Sequence, residues 1–112
     1  MKTLSDNQVR TLVAEFHTNS EEDIVGLFAV AKEVYELLED ENAAREQTLR
    51  VVGAMLKSGM IAGDPPYSPG GYTPWPNQTP EVVLNRIRSE WLALKRRPDI
   101  PDIAWFGPAK QA

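Results

Sequence analysis

Seven of the nine residues from Gly63 to Gly71 are turn formers: Gly63, Asp64, Pro65, Pro66, Pro69, Gly70 and Gly71. Proline locks φ and removes a backbone donor, and glycine leaves the backbone loose, so neither a helix nor a central strand runs through such a segment. It divides the chain into a long part before it and a shorter part behind it. On its near side Met60 to Ala62 is a short apolar segment, and on its far side Tyr72 to Trp75 resumes an extended pattern. This arrangement predicts a hairpin at about 60–75 with a stiffened tip, confined by its prolines to a sheet edge.

The part ahead of the hairpin reads as three helices. Ser5 followed by Gln8 matches a capping box, and Val9, Leu12, Val13 and Phe16 then recur along one face of a short first helix. Ser20, with Glu21, Glu22 and Asp23 behind it, predicts the start of a second helix, since carboxylates are favoured at the positive end of the helix dipole. Its apolar stripe is Ile24, Leu27, Phe28, Ala31, Val34, Tyr35 and Leu38. A third helix opens at Glu41 or Asn42 and buries Ala44, Thr48, Val51, Val52, Met55 and Leu56, until Gly59 stops it.

Behind the hairpin, Thr79-Pro80-Glu81 is a helix start, with proline where its missing N–H costs nothing. Val83, Leu84, Ile87, Trp91 and Leu94 mark its buried face, and Pro98 ends it. The tail from Ile100 to Phe106 is too apolar to stay in water, so it is expected to pack over the fourth helix or the hairpin, with Trp91 and Trp105 in the core. The predicted fold class is therefore mainly α. It is a single helical domain over 1–112, with four principal helices, one hairpin and the tail 98–112 packed back on the body.

Length and composition agree with one domain that needs no staples, because 112 residues with 42% apolar content suffice for a core. Cysteine is absent, which excludes disulfides and thiolate ligands and mildly favours a reducing compartment. Met1 to Gln8 has no apolar run behind it, and no stretch approaches the roughly 20 apolar residues of a membrane span. The expectation is a cytoplasmic protein without signal peptide or membrane partner.

Charge is segregated along the chain. Ten of the sixteen carboxylates lie between Glu15 and Glu46 against Lys32 and Arg45, a segment of net −8, whereas Arg86, Arg88, Lys95, Arg96 and Arg97 face only Glu90. An acidic face implies a basic partner. The catalytic inventory is thin: His17 is the only histidine, no His/Asp/Glu cluster has metal-ligand spacing, and Gly70-Gly71 lacks the residues of a phosphate loop. Neither enzyme activity, cofactor nor metal is expected. The candidate partner-binding residues are Glu33, Glu36, Glu39, Asp40 and Glu41, which project off the apolar stripe or lie in the turn after it, with Tyr67 or Tyr72 at the hairpin as a desolvated anchor.

Two resemblances extend this reading. The order helix, helix, helix, hairpin, helix over about Ser20 to Trp75 resembles a winged helix, which implies a DNA-binding regulator or antitoxin reading DNA with the helix at about 42–58 through Arg45, Gln47, Arg50 and Lys57. Against that function, Glu46 sits among those residues and Asp64 is the only charge on the wing. The block Thr79-Pro80-Glu81 through Arg88-Ser89-Glu90-Trp91-Leu92-Ala93-Leu94, then Arg97-Pro98-Asp99-Ile100 and Asp102-Ile103-Ala104-Trp105-Phe106, is similar to the C-terminal pattern of small bacterial proteins. Small acidic proteins of this size include immunity partners of secreted toxins, among them those of contact-dependent growth inhibition. That resemblance implies cytoplasmic residence and neutralisation of a toxin, such as a nuclease domain, by tight binding, with no catalytic residue.

Overall fold

The computed structural model describes residues 2–108, arranged as α1 (Asp6–Glu22), β1 (Val25–Gly26), α2 (Leu27–Leu37), α3 (Glu41–Lys57), β2 (Ile61–Gly63), α4 (Pro80–Leu94) and β3 (Trp105–Gly107). The fold is mainly helical, with one small antiparallel sheet in the order β1-β3-β2. No helix among the described residues is long and apolar enough to cross a membrane.

Helix α3 is the hub. Its buried residues include Ala43, Ala44, Thr48, Leu49, Val51, Val52, Met55 and Leu56, and it packs against α1, α2 and α4. Asp40 caps its start by accepting a hydrogen bond from the Ala43 amide at 2.8 Å. At its end the Gly59 amide donates to the Leu56 carbonyl and the Met60 amide to the Met55 carbonyl, a paired closure that requires the left-handed backbone of Gly59 (φ 104°). The stop expected at Gly59 is thus made by backbone geometry.

The capping box at Ser5 and Gln8 forms in both directions, but the start expected at Ser20 does not exist. Helix α1 runs through it to Glu22, and Ser20 is buried within the helix, its hydroxyl donating to the His17 carbonyl at 2.7 Å. A serine whose hydroxyl bonds back to its own helix needs no cap geometry. The helical stripe expected from Ile24 is also shortened, because Val25 and Gly26 are drawn into a strand opposite Phe106 and Trp105. Helix α2 therefore begins without a side-chain cap, and the Leu27 amide donates instead to the distant Ala104 carbonyl at 3.0 Å. Ser5→Ala is expected to cost about 1 kcal/mol, as loss of an N-cap does, whereas Ser20→Ala should be nearly neutral. Comparing the two urea midpoints checks which serine is the cap.

The hairpin also differs from expectation. The arm from Tyr72 to Trp75 meets β2 through one bridge, Gly63 with Pro74, flanked by hydrogen bonds from Asp64 N to Thr73 O and Trp75 N to Ala62 O. Pro74 has no amide to extend a ladder on that edge of β2, and on its other edge β2 pairs along its whole length with β3, Ala62 opposite Phe106. The tail does more than cover the body, since it supplies the central strand. The outer edge of β2 is closed by Gln78, whose side-chain amide accepts from Ala62 N at 2.8 Å and donates to Ala62 O at 2.7 Å, as a neighbouring strand would.

Tyr72 lies across this sheet, with its hydroxyl donating to the Ile61 carbonyl at 2.7 Å. Glycines make room for its ring: a Cβ at Gly107 would stand 2.8 Å from the Tyr72 hydroxyl, and one at Gly63 would stand 2.7 Å from its ring carbon Cε1. Phe106, Leu27, Met55 and Ile87 are among the fully buried side chains beneath. Trp91 joins that core, but Trp105 does not. The Trp105 ring is half-buried between Phe28 and Tyr67, its N–H donating to the Ile100 carbonyl at 3.0 Å, while Trp75 is buried under the hairpin.

Candidate partner-binding surface

The end of α2 and the turn into α3 hold the acidic candidates. Leu38 leaves the helix with extended backbone, its amide still bonded to the Val34 carbonyl, and its buried side chain pins the turn to the core. Glu39 and Asp40 are thereby turned outward, and both are exposed. One turn back, Glu33 and Glu36 lie three residues apart on the solvent side of α2, Glu36 exposed and Glu33 half-buried. Leu37 sits among them, 47% exposed. Glu36, Leu37, Glu39 and Asp40 line a shallow cleft of about 710 Å³ that also meets Lys2.

Glu41 is placed differently. Its carboxylate accepts the Tyr35 hydroxyl at 2.8 Å and the Arg97 guanidinium at 3.0 Å, and the same guanidinium stacks on the Tyr35 ring, 3.8 Å from its centroid. The hydrogen bonds from Tyr35 and Arg97 hold the Glu41 carboxyl below the usual carboxylate range, while burial and the Glu41 bond push the Tyr35 hydroxyl up to about 12. This three-residue lock fastens α2, α3 and the segment after α4, so Glu41 belongs to the fold's own ion pairs.

The two tyrosines also part company. Tyr72 is committed to the sheet, where burial raises its hydroxyl above the ordinary range. Tyr67 is 66% exposed at the loop tip, edge-on to Trp105 with ring centroids 6.1 Å apart. Trp105 in turn meets Phe28, 5.8 Å away at the start of α2, and Phe28 shares a cleft of about 300 Å³ with Lys32, Tyr35, Glu36 and Arg97. Tyr67 is thus linked through aromatic contacts to the helix that carries the carboxylates. Glu36 lies about 12 Å along α2 from Phe28 at 1.5 Å per residue.

The four arginines of the basic run in the C-terminal third are paired within the molecule, and Lys95 forms no ion pair among the described residues. Arg86 pairs with Glu90 at 2.8 Å and Asp64 at 3.7 Å, Arg88 with Glu46 at 2.9 Å, Arg96 with Asp102 at 2.5 Å, and Arg97 with Glu41 at 3.0 Å. Among the described residues, Glu33, Glu36, Glu39 and Asp40 form no ion pair. Glu21 and Glu22 close α1 with no cation in its last turn, at the helix end where the dipole disfavours carboxylates. Around the end of α2, Glu33, Glu36, Glu39 and Asp40 stand against Lys2 and Lys32, which also form no ion pair among the described residues, so the charge there is net negative.

The helix expected to read DNA is enclosed on three sides, and its two arginines are engaged, while Lys57 forms no ion pair among the described residues. Arg45 bonds Glu46 at 3.3 Å, while Arg50 donates to the Leu4 carbonyl at 2.7 Å and pairs with Asp6 at 2.6 Å. Among the described residues no three His, Asp or Glu side chains gather as metal ligands.

Sequence reading missed Leu37, although a signal was present, because it stands off the stripe of α2 beside Glu33 and Glu36. Comparison of the chain with protein-family models, with curated proteins and with solved structures finds no match.

Proposed function

We propose that this protein binds and neutralises a basic protein partner, and that the partner is a toxic nuclease domain which the chain blocks in the cytoplasm as an immunity protein. The observation that supports this reading most is the unpaired set Glu36, Glu39 and Asp40 around the exposed side chain of Leu37, on a molecule whose C-terminal arginines are spent internally. A nuclease is basic where it holds phosphates, so carboxylates arranged on a rigid turn substitute for the nucleic acid and accelerate encounter by long-range attraction. Exposed ion pairs contribute only about 0.2–1 kcal/mol each. Several must therefore surround a desolvated apolar centre, the role assigned to Leu37.

The test is charge reversal that spares the fold. Asp40 caps α3, so it is left in place, and Glu36→Lys/Glu39→Lys is combined. Association with the toxin encoded beside this gene should slow by about tenfold or more and lose salt dependence, as for steered encounters, while the melting temperature stays close to wild type. Leu37→Ala should chiefly speed dissociation. Co-expression with that toxin gives the cellular readout. If the double variant protects cells and binds as wild type does, the acidic face is only a solvated surface. If there is no adjacent toxin and the protein shifts a DNA duplex at physiological salt, the regulator reading replaces this one.

A further inference from the structure

Three helices cover α3, and its fourth flank is open. On that flank Arg50, Gly53, Ala54 and Lys57 follow at i, i+3, i+4 and i+7, a single stripe of the helix. Helix α1 brings Val9 and Val13 to one wall, and α4 brings Leu84 to the other. Clefts of about 680 and 500 Å³ on this flank share Val9 and Ala54, so they adjoin as two parts of one groove region.

We propose that this groove docks an amphipathic helix of a protein partner, its apolar ridge on Ala54 and its flanks acidic. The floor admits a helix at half-buried Ala54, which carries little bulk, while Gly53 beside it is buried against Leu84 of the wall, and a small floor residue permits two packed helix axes to approach within roughly 8–10 Å. The walls supply aliphatic side chains at helical spacing, the usual receptor for an i, i+3, i+4, i+7 ridge.

Charge selects the acidic kind. Arg10, Arg50, Lys57 and Arg88 stand at the lips against Glu81 and against Asp6 and Glu46, which Arg50 and Arg88 hold, so cations outnumber carboxylates there in a protein of net charge −4. Arg50 and Arg88 already pair with Asp6 and Glu46, yet their side chains remain 37% and 38% exposed, and Arg10 and Lys57 form no ion pair among the described residues. The groove lies on other helices than the acidic end of α2, so it stands independently of the proposed nuclease partner.

The probe is a fluorescein-labelled helical peptide of roughly 18 residues, about five turns, with leucines at the ridge and glutamates on both flanks. Its control replaces every glutamate by lysine. The glutamate peptide is expected to bind more tightly, to weaken as salt rises, and to shift the amide resonances of Val13, Ala54 and Leu84. Arg10→Gln/Lys57→Gln, at two exposed positions, should lower its affinity by about tenfold and flatten the salt dependence. Ala54→Met, which fills the floor without changing charge, should lower it as well. The melting temperature of each variant separates lost docking from lost fold. Equal or tighter binding of the lysine peptide, resonance shifts centred on Leu37, or no binding of either peptide overturns the proposal. So does self-association in sedimentation that the groove variants abolish, which would assign the groove to a second copy of this chain.

Discussion

Phe106→Ala is expected to remove about 3–5 kcal/mol of stability, the usual cost of emptying a buried aromatic site. Against the roughly 5–15 kcal/mol that holds a typical domain, that is a large share of the total. The size of the effect follows from the position of β3. Phe106 is fully buried, and its backbone stands opposite Val25 on one side and Ala62 on the other, so the cavity opens under both outer strands at once. Those strands are only two and three residues long and have little pairing of their own to fall back on. The measurement is the urea midpoint at unchanged slope, with Phe106→Leu as a milder companion that keeps most of the side chain. A melting temperature within a degree or two of wild type for the alanine variant would falsify the central placement of the tail.

The elements legible in the sequence are those set by neighbours along the chain. The capping box of Ser5 and Gln8, the stop at Gly59 and the proline start of α4 each depend on residues within one turn, and all three are present. The same locality misleads at Ser20. A serine followed by three carboxylates satisfies the template of a helix start, but the demand of Phe106 and Trp105 for partners at Val25 and Gly26 ends α1 there and places those carboxylates at the wrong pole of its dipole. Nothing local marks Trp105 to Gly107 as a strand, because both of its partners lie far away in sequence.

The site divides along the same line. Exposure of Glu36, Glu39 and Asp40 follows from helical periodicity and a three-residue turn, and the structure keeps these carboxylates together. The withdrawal of Glu41 does not follow, since its partner Arg97 is 56 residues away. Tyr67 and Tyr72 look alike in a turn-rich segment, and only the approach of Gly63 and Gly107 to one ring separates the structural tyrosine from the exposed one.

The two tryptophans that the sequence assigns equally to the core are expected to separate in the same assay. Trp91 is 4% exposed and is the last of the buried residues Val83, Ile87 and Trp91 on α4, so Trp91→Ala should lose about 3–5 kcal/mol. Trp105 keeps part of its ring in water, and its indole hydrogen bond to the Ile100 carbonyl is exposed, so replacing it forfeits less burial and leaves no buried acceptor unpaired. About 1–2 kcal/mol is the expected loss for Trp105→Ala. The comparison also bears on binding. Removal of Trp105 takes away the surface on which Tyr67 rests, so if Tyr67 anchors a partner, Trp105→Ala should weaken that complex at temperatures where the protein remains folded. Among the described residues Trp91 forms no ring pair with Phe28, Tyr67 or Trp105, so Trp91→Ala should act only through stability. Equal destabilisation by the two substitutions would place Trp105 in the core after all and leave Tyr67 without a distinct support.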